Sequence, residues 1–265
     1  MAHCCLAAGF RASRVRCALM HVLVALAAAA CSRPAAPPPE RAADVSASAP
    51  SPAAAAATTA DEKPSFAAQV AAVREGRSTA IVAADPPTPE EWESLRGLPA
   101  LATLVLERGR ADDRAAGILA TLPAIERLVL RESPLTDTGF ARLAECRSLR
   151  DVNVPQADCT AEGIRGLSAL QNLRALRLGG RRLAGPEVGE AVATLPRLRS
   201  LHLIDVPLGD RGLAALRGLP GLWSLYLDGA GVSDEAWGEY FRACPDVHVH
   251  VDQAHHDRDP RGHDH

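Results

Sequence analysis

From Leu98 onward, large apolar residues return at fixed places in a unit of 24 or 25 residues. Successive units open at Leu98, Leu122, Cys146, Leu170, Leu195, Leu219 and Cys244. The fourth place reads Leu101, Ile125, Leu149, Leu173, Leu198, Leu222 and Val247. The seventh reads Leu104, Leu128, Val152, Leu176, Leu201 and Leu225, and the ninth Leu106, Leu130, Val154, Leu178, Leu203 and Leu227. Apolar residues two apart share one face of a strand, so each unit is expected to carry one short strand. Stacked in parallel, every column meets its own copy in the next unit.

The second half of the unit changes period. Its fifteenth place reads Thr88, Asp112, Thr136, Thr160, Ala184, Gly209 and Ser233, mostly residues that cap a helix N-terminus. Thr88-Pro89-Glu90-Glu91 adds proline at the first helical position and a capping box. Apolar residues follow four and seven places later, as in Phe140 and Leu143 or Ile164 and Leu167. Each unit therefore predicts a strand, a turn, a helix of about two turns and a return loop. One unit cannot bury its apolar face alone, but a stack buries a continuous core.

Leu122-Pro-Ala-Ile-Glu-Arg-Leu-Val-Leu130 and Leu195-Pro-Arg-Leu-Arg-Ser-Leu-His-Leu203 follow the pattern LxxLxxLxL. Leu135-Thr-Asp-Thr-Gly-Phe140 is similar to a "TDxGL" step. On these residues the chain resembles the bacterial leucine-rich repeat family, over roughly residues 81–251. The resemblance implies an α/β solenoid with parallel strands on a concave face and short helices on a convex one. The column where many members keep asparagine reads Gly109, Ser133, Ala157, Arg181, Val206 and Ala230. The turn backbone must therefore be satisfied by other means. An extra residue near positions 185–191 is expected to bulge on the convex side. Residues 81–95 read as the helix half of a terminal unit, and Val247, Val249 and Val251 as a last strand with no helix after it.

Ahead of the repeats the pattern is different. Arg11, Arg14 and Arg16 precede a charge-free apolar run of about 14 residues ending at Ala30. That layout is a secretory leader, and the run is short of the roughly 20 residues that span a bilayer. Leu26-Ala-Ala-Ala-Ala30-Cys31-Ser32 resembles the lipobox of bacterial lipoproteins, with Ala28 where leucine is usual. The resemblance implies cleavage before Cys31, lipidation of that cysteine and, with Ser32 after it, an outer-membrane address in a two-membrane cell. Cleavage after Ala30 by a general signal peptidase is the alternative. Alanine and proline dominate residues 31–64, which lack the apolar surface to fold and read as a disordered, semi-rigid tether. Phe66, Val70 and Val73 then share one helical face. The expected organisation is leader 1–30, tether 31–64, repeat domain 65–252 and a disordered His/Asp-rich tail 253–265.

Composition narrows the function. Net charge is −3 over 265 residues, and removing residues 1–30 takes away three arginines and no acids, leaving −6. Nucleic acid is not an expected partner. Phosphate-loop, G-x-S-x-G and CxxC signatures are missing, so neither an enzyme nor a cofactor is expected. Cys146 and Cys244 lie four units apart, roughly 19 Å at strand spacing, beyond the roughly 7 Å Cα separation of a disulfide. With Cys159 they read as small buried hydrophobes. His248, His250, His255 and His256 are weak candidates for metal capture in a tail otherwise read as solvated.

What remains is the concave face. Outward strand positions there include Arg127, Arg131, Asp151, Asn153 and Arg177, then His202 and Tyr226. The last strand is expected to set His250 in the Arg177–His202–Tyr226 column, with Arg199 and Trp223 at the rim. Arg, Tyr and Trp offer large contact area with a polar handle and anchor interfaces. The expectation is a monomeric, membrane-anchored module that binds another protein. The alternatives are an envelope spacer without a specific partner and a lipoprotein that captures metal through its His-rich tail.

Overall fold

The structure, a computed structural model, describes residues 63–256. The expectations for the leader, for Cys31, for nearly all of the tether and for residues 257–265 lie outside the described residues. Among the described residues no helix is long and apolar enough to cross a membrane.

Eight strands lie in chain order in one parallel sheet: β1 (Ala80–Ala83), β2 (Thr103–Leu106), β3 (Arg127–Leu130), β4 (Asp151–Val154), β5 (Ala175–Gly179), β6 (Ser200–Ile204), β7 (Ser224–Leu227) and β8 (His248–Val251). A ninth, β9 (Ala254–His255), turns back antiparallel on β8. Helix α1 (Phe66–Arg74) precedes the sheet. The strands then alternate with α2 (Pro89–Ser94), α3 (Asp113–Leu119), α4 (Asp137–Leu143), α5 (Ala161–Gly166), α6 (Pro186–Val192), α7 (Gly209–Leu216) and α8 (Asp234–Ala243). The result is an open, solenoid-like α/β stack rather than a closed barrel.

The apolar columns do the stacking. Leu104 pairs with Leu128, then Val152, Leu176, Leu201, Leu225 and Val249, each in register with the next. These residues are buried in one core with helix residues such as Phe140, Ile164 and Leu213. Thr88, Asp112, Thr136, Thr160 and Ser233 cap their helices with side-chain oxygens. The other two units differ. Gly185 and Leu208 occupy the cap position there, and neither supplies a side-chain bond. The extra residue of the fourth unit falls in the loop before α6, not within the helix. There Gly185 adopts φ 82° and its N–H donates to the Pro207 carbonyl at 2.7 Å.

Two devices replace the asparagine column. In the turns after the strands, backbone bonds run from unit to unit, as from Ala157 N–H to the Gly179 carbonyl at 2.8 Å. Buried Ser133 accepts from Ala111 N–H and donates to the Arg131 carbonyl, both at 3.0 Å. At the helix starts an aspartate reaches forward to the next unit's cap. Asp137 accepts from the Thr160 N–H at 2.7 Å and its hydroxyl at 2.8 Å. Asp113 does the same for Thr136, and Asp210 for Ser233. Glycine completes the step: a Cβ on Gly163 would stand 2.6 Å from the Asp137 carboxylate. The physical content of Thr-Asp-x-Gly is thus a cap, a forward bridge and the room for it.

Both sheet edges are closed in ways that differ from the expectation for residues 81–95 and 247–252. Residues 81–95 carry a strand as well as a helix, because Ile81 alone fills the Leu104 column while Ala83 pairs with Leu106. The Gln69 amide on α1 then pairs the free edge of β1, accepting from Val82 N–H at 2.7 Å and donating to its carbonyl at 3.0 Å. At the other end the boundary expected at residue 252 falls inside a hairpin. Asp252 and Gln253 have φ 50° and 65°, the two left-handed residues of a type I′ turn, and Val251 faces Ala254. Asp252 is also tied back by Gly229 N–H, which donates to its Oδ1 at 2.8 Å. Of the three cysteines, Cys146 and Cys159 are buried, and burial pushes both thiols up to about 12. Cys244 is only partly buried, because it ends α8 at the last unit rather than lying inside the stack.

Candidate functional site

One face of the parallel sheet is covered by the helices; no described element covers the other. Alternation along each strand sends every second side chain to that open face. The register stacks Val105, Val129, Asn153, Arg177, His202, Tyr226 and His250 on successive strands. Its last four members are the column expected from the sequence. Rings pack along it: His202 and Tyr226 have centroids 5.4 Å apart, and Tyr226 stacks on His250 at 4.5 Å and 20°.

The rim forms a second column just before the strands. Trp223 N–H donates to the Arg199 carbonyl at 2.7 Å, and Arg199 N–H to the Arg174 carbonyl at 2.8 Å. Trp223 is 59% exposed, the most exposed large apolar side chain described. Arg174, Arg197 and Arg199 line one shallow groove with Pro196 and Pro220. Arg174 was not singled out in the sequence, although it stands one unit before Arg199 in the same column.

The remaining expected anchors are separated by their own pairings. Arg127 and Asp151 form an ion pair at 3.4 Å, and Arg131 pairs with Glu107 at 3.0 Å. Burial raises the Asp151 carboxyl from its ordinary range, and Arg127 only partly offsets it. His202 Nε2 lies 3.0 Å from the buried Asp228, which orients the ring within the column. Arg177 and Asn153 differ from these. Arg177 Nε and Asn153 Oδ1 are buried on neighbouring strands, and neither has a hydrogen-bond partner among the described residues. Such an atom costs about 1–3 kcal/mol until something pairs it.

The histidines divide by face. His248 and His250 are two apart on β8, and His255 stands opposite His250 across the hairpin. Their ring nitrogens gather on one side of the sheet end. His256 points the other way and packs on Trp237 and Phe241 of α8, with centroids 4.9 Å from each. Comparison of the chain with protein-family models and with curated proteins finds no match to either.

Proposed function

We propose that the chain is an exported leucine-rich repeat protein, anchored through Cys31, whose strand face binds another protein. Strands prefer spacings of about 4.8 Å and packed helices about 8–10 Å. A stack with strands on one side and helices on the other therefore curves with its strands innermost. Parallel sheets are as a rule covered on both faces, and here the face that no described element covers carries arginine, histidine, tyrosine and tryptophan.

The observation that carries the reading is the polar pair at its centre. Among the described residues Arg177 Nε and Asn153 Oδ1 are withdrawn from solvent and unpaired beside the ring column. A partner that draws these two side chains outward and supplies an acceptor and a donor removes that cost as it docks. Arg174, Arg177, Arg197 and Arg199 form no ion pair among the described residues, unlike Arg127, Arg131 and Arg150. The partner accordingly presents carboxylates to the rim and an apolar or aromatic group to Trp223 and Tyr226. The proposed anchor rests on the sequence from Leu26 to Ser32, and mass spectrometry of the mature N-terminus tests it separately.

Quantitative crosslinking capture from the native cell tests the face. The parent chain is expected to enrich a defined partner that Trp223→Ala/Tyr226→Ala loses about tenfold or more, while Arg211→Ala on the helix side retains it. Equal capture by the parent and the double variant sinks the reading.

A further inference from the structure

The end of the sheet holds a constellation distinct from the docking centre. His248 and His250 project from β8 on the same side, and the type I′ turn brings His255 over beside them. The His248 and His250 Nε2 atoms are 2.8 Å apart, and one ring nitrogen from each of the three lies within 4.8 Å of the others. The His250 and His255 rings are 4.1 Å apart between centroids. All three side chains are half-buried, so the site is walled by the hairpin rather than carried on a solvated tail.

We propose that His248, His250 and His255 form a site for one divalent transition-metal ion, best suited to zinc. Two nitrogens bound to tetrahedral zinc at about 2.0–2.1 Å stand roughly 3.3 Å apart. The two closest nitrogens need to part slightly, and the farthest pair to close by at most about 1.5 Å, a change within the reach of side-chain torsions. The donor set selects the ion. Three imidazoles suit Zn²⁺, Ni²⁺ or Cu²⁺; with no carboxylate or carbonyl in the set that the described residues supply, calcium and magnesium are poorly served. Two sets of hydrogen bonds hold the donors in place without metal: the β8–β9 backbone pairing, and the bond from Gly229 N–H to the Asp252 carboxylate. Tyr226, stacked on His250, fixes that ring from the other side. Three protein ligands leave a fourth position for water or an incoming side chain. The bound ion would staple the last hairpin and stabilise the end of the stack by mass action.

The site differs from capture by a loose His-rich tail, and the experiment separates the two. The full chain, stripped of metal, is titrated with zinc chloride by calorimetry. Four forms are compared: parent, His248→Ala/His255→Ala, His255→Gln, and His263→Ala/His265→Ala. Far-UV circular dichroism without zinc must match the parent for a variant to be read. His255→Gln keeps size and polarity in case the alanine pair loosens the hairpin. The parent and the His263/His265 variant are expected to bind one equivalent that both site variants weaken at least tenfold. X-ray absorption on the zinc-loaded parent should report nitrogen neighbours at about 2.0–2.1 Å. Unchanged stoichiometry and affinity in a folded site variant overturns the proposal. So does loss of the equivalent in the His263/His265 variant, or no zinc binding by the parent. The variants leave Arg177, Trp223 and Tyr226 untouched, so protein capture through the strand face is read independently.

Discussion

At Asp113, Asp137 and Asp210 one carboxylate sits in the first turn of its own helix and bonds the cap residue of the next unit. Burial raises the Asp137 carboxyl, but the Thr160 N–H and hydroxyl and the Gly163 N–H outweigh it and leave the group below its ordinary range. Bonds from the Ser233 N–H and hydroxyl lower Asp210 in the same way. A carboxyl lowered on folding contributes stability that is complete above its unfolded value of about 3.9 and is lost as pH falls through the folded value. Asp151, raised by burial, works in the opposite sense and is relieved by acid. Urea midpoints are therefore expected to fall as pH drops below about 4, and Asp137→Asn/Asp210→Asn to flatten that fall. At neutral pH Asp137→Asn should cost about 1 kcal/mol, since the bonds are partly solvated. A double variant with the parent's acid dependence would contradict the bridge. The cap residues were legible in the sequence because capping is local chemistry. The forward bridges were not, because donor and acceptor lie 23 residues apart and meet only once the units stack.

The α6–α7 contact shows how elements set their own spacing. A Cβ on Gly189 would stand 2.2 Å from the Gly212 carbonyl oxygen, and that neighbour is backbone that cannot rotate away. Gly189→Ala should therefore cost about 1–3 kcal/mol by overpacking, read as a lower urea midpoint at unchanged slope. Gly117→Ala on α3, whose new Cβ meets nothing within 4 Å, serves as the control and should be neutral or slightly stabilising. At the first edge, Gln69→Leu removes both bonds to Val82 and should speed amide exchange at Val82 well beyond that of the inner strands. Parent-like exchange would show that α1 closes the edge without its amide. Repeated strands and helices were legible because each is written several times over. The terminal ones were not: β1 turns only one large apolar residue, Ile81, into the core, and the Asp252-Gln253 turn lacks the glycine that marks a two-residue hairpin.

For the stack of residues 63–256 as a whole, each unit contacts its neighbours, so a column in the sequence becomes a stripe on the surface. That is why the Arg177–His202–Tyr226–His250 alignment is legible in the sequence. The period fixes which residues share a column, and strand alternation fixes which column faces out. Which side chains are already engaged could not be read. Arg127 and Arg131 look identical to Arg177 in sequence, yet carboxylates meet the first two while Arg177 Nε finds none among the described residues. Salt separates these roles: if arginines of the rim meet a carboxylate-bearing partner, affinity should fall several-fold as ionic strength rises from low to physiological, and Arg174→Glu/Arg199→Glu should abolish the dependence. The most direct test of the central claim is in-cell photo-crosslinking from a single reactive residue placed at Trp223 on the strand side or at Arg211 on the helix side. One discrete protein adduct is expected from position 223 and none from position 211. Adducts from 211 alone, or from neither position, would contradict the claim.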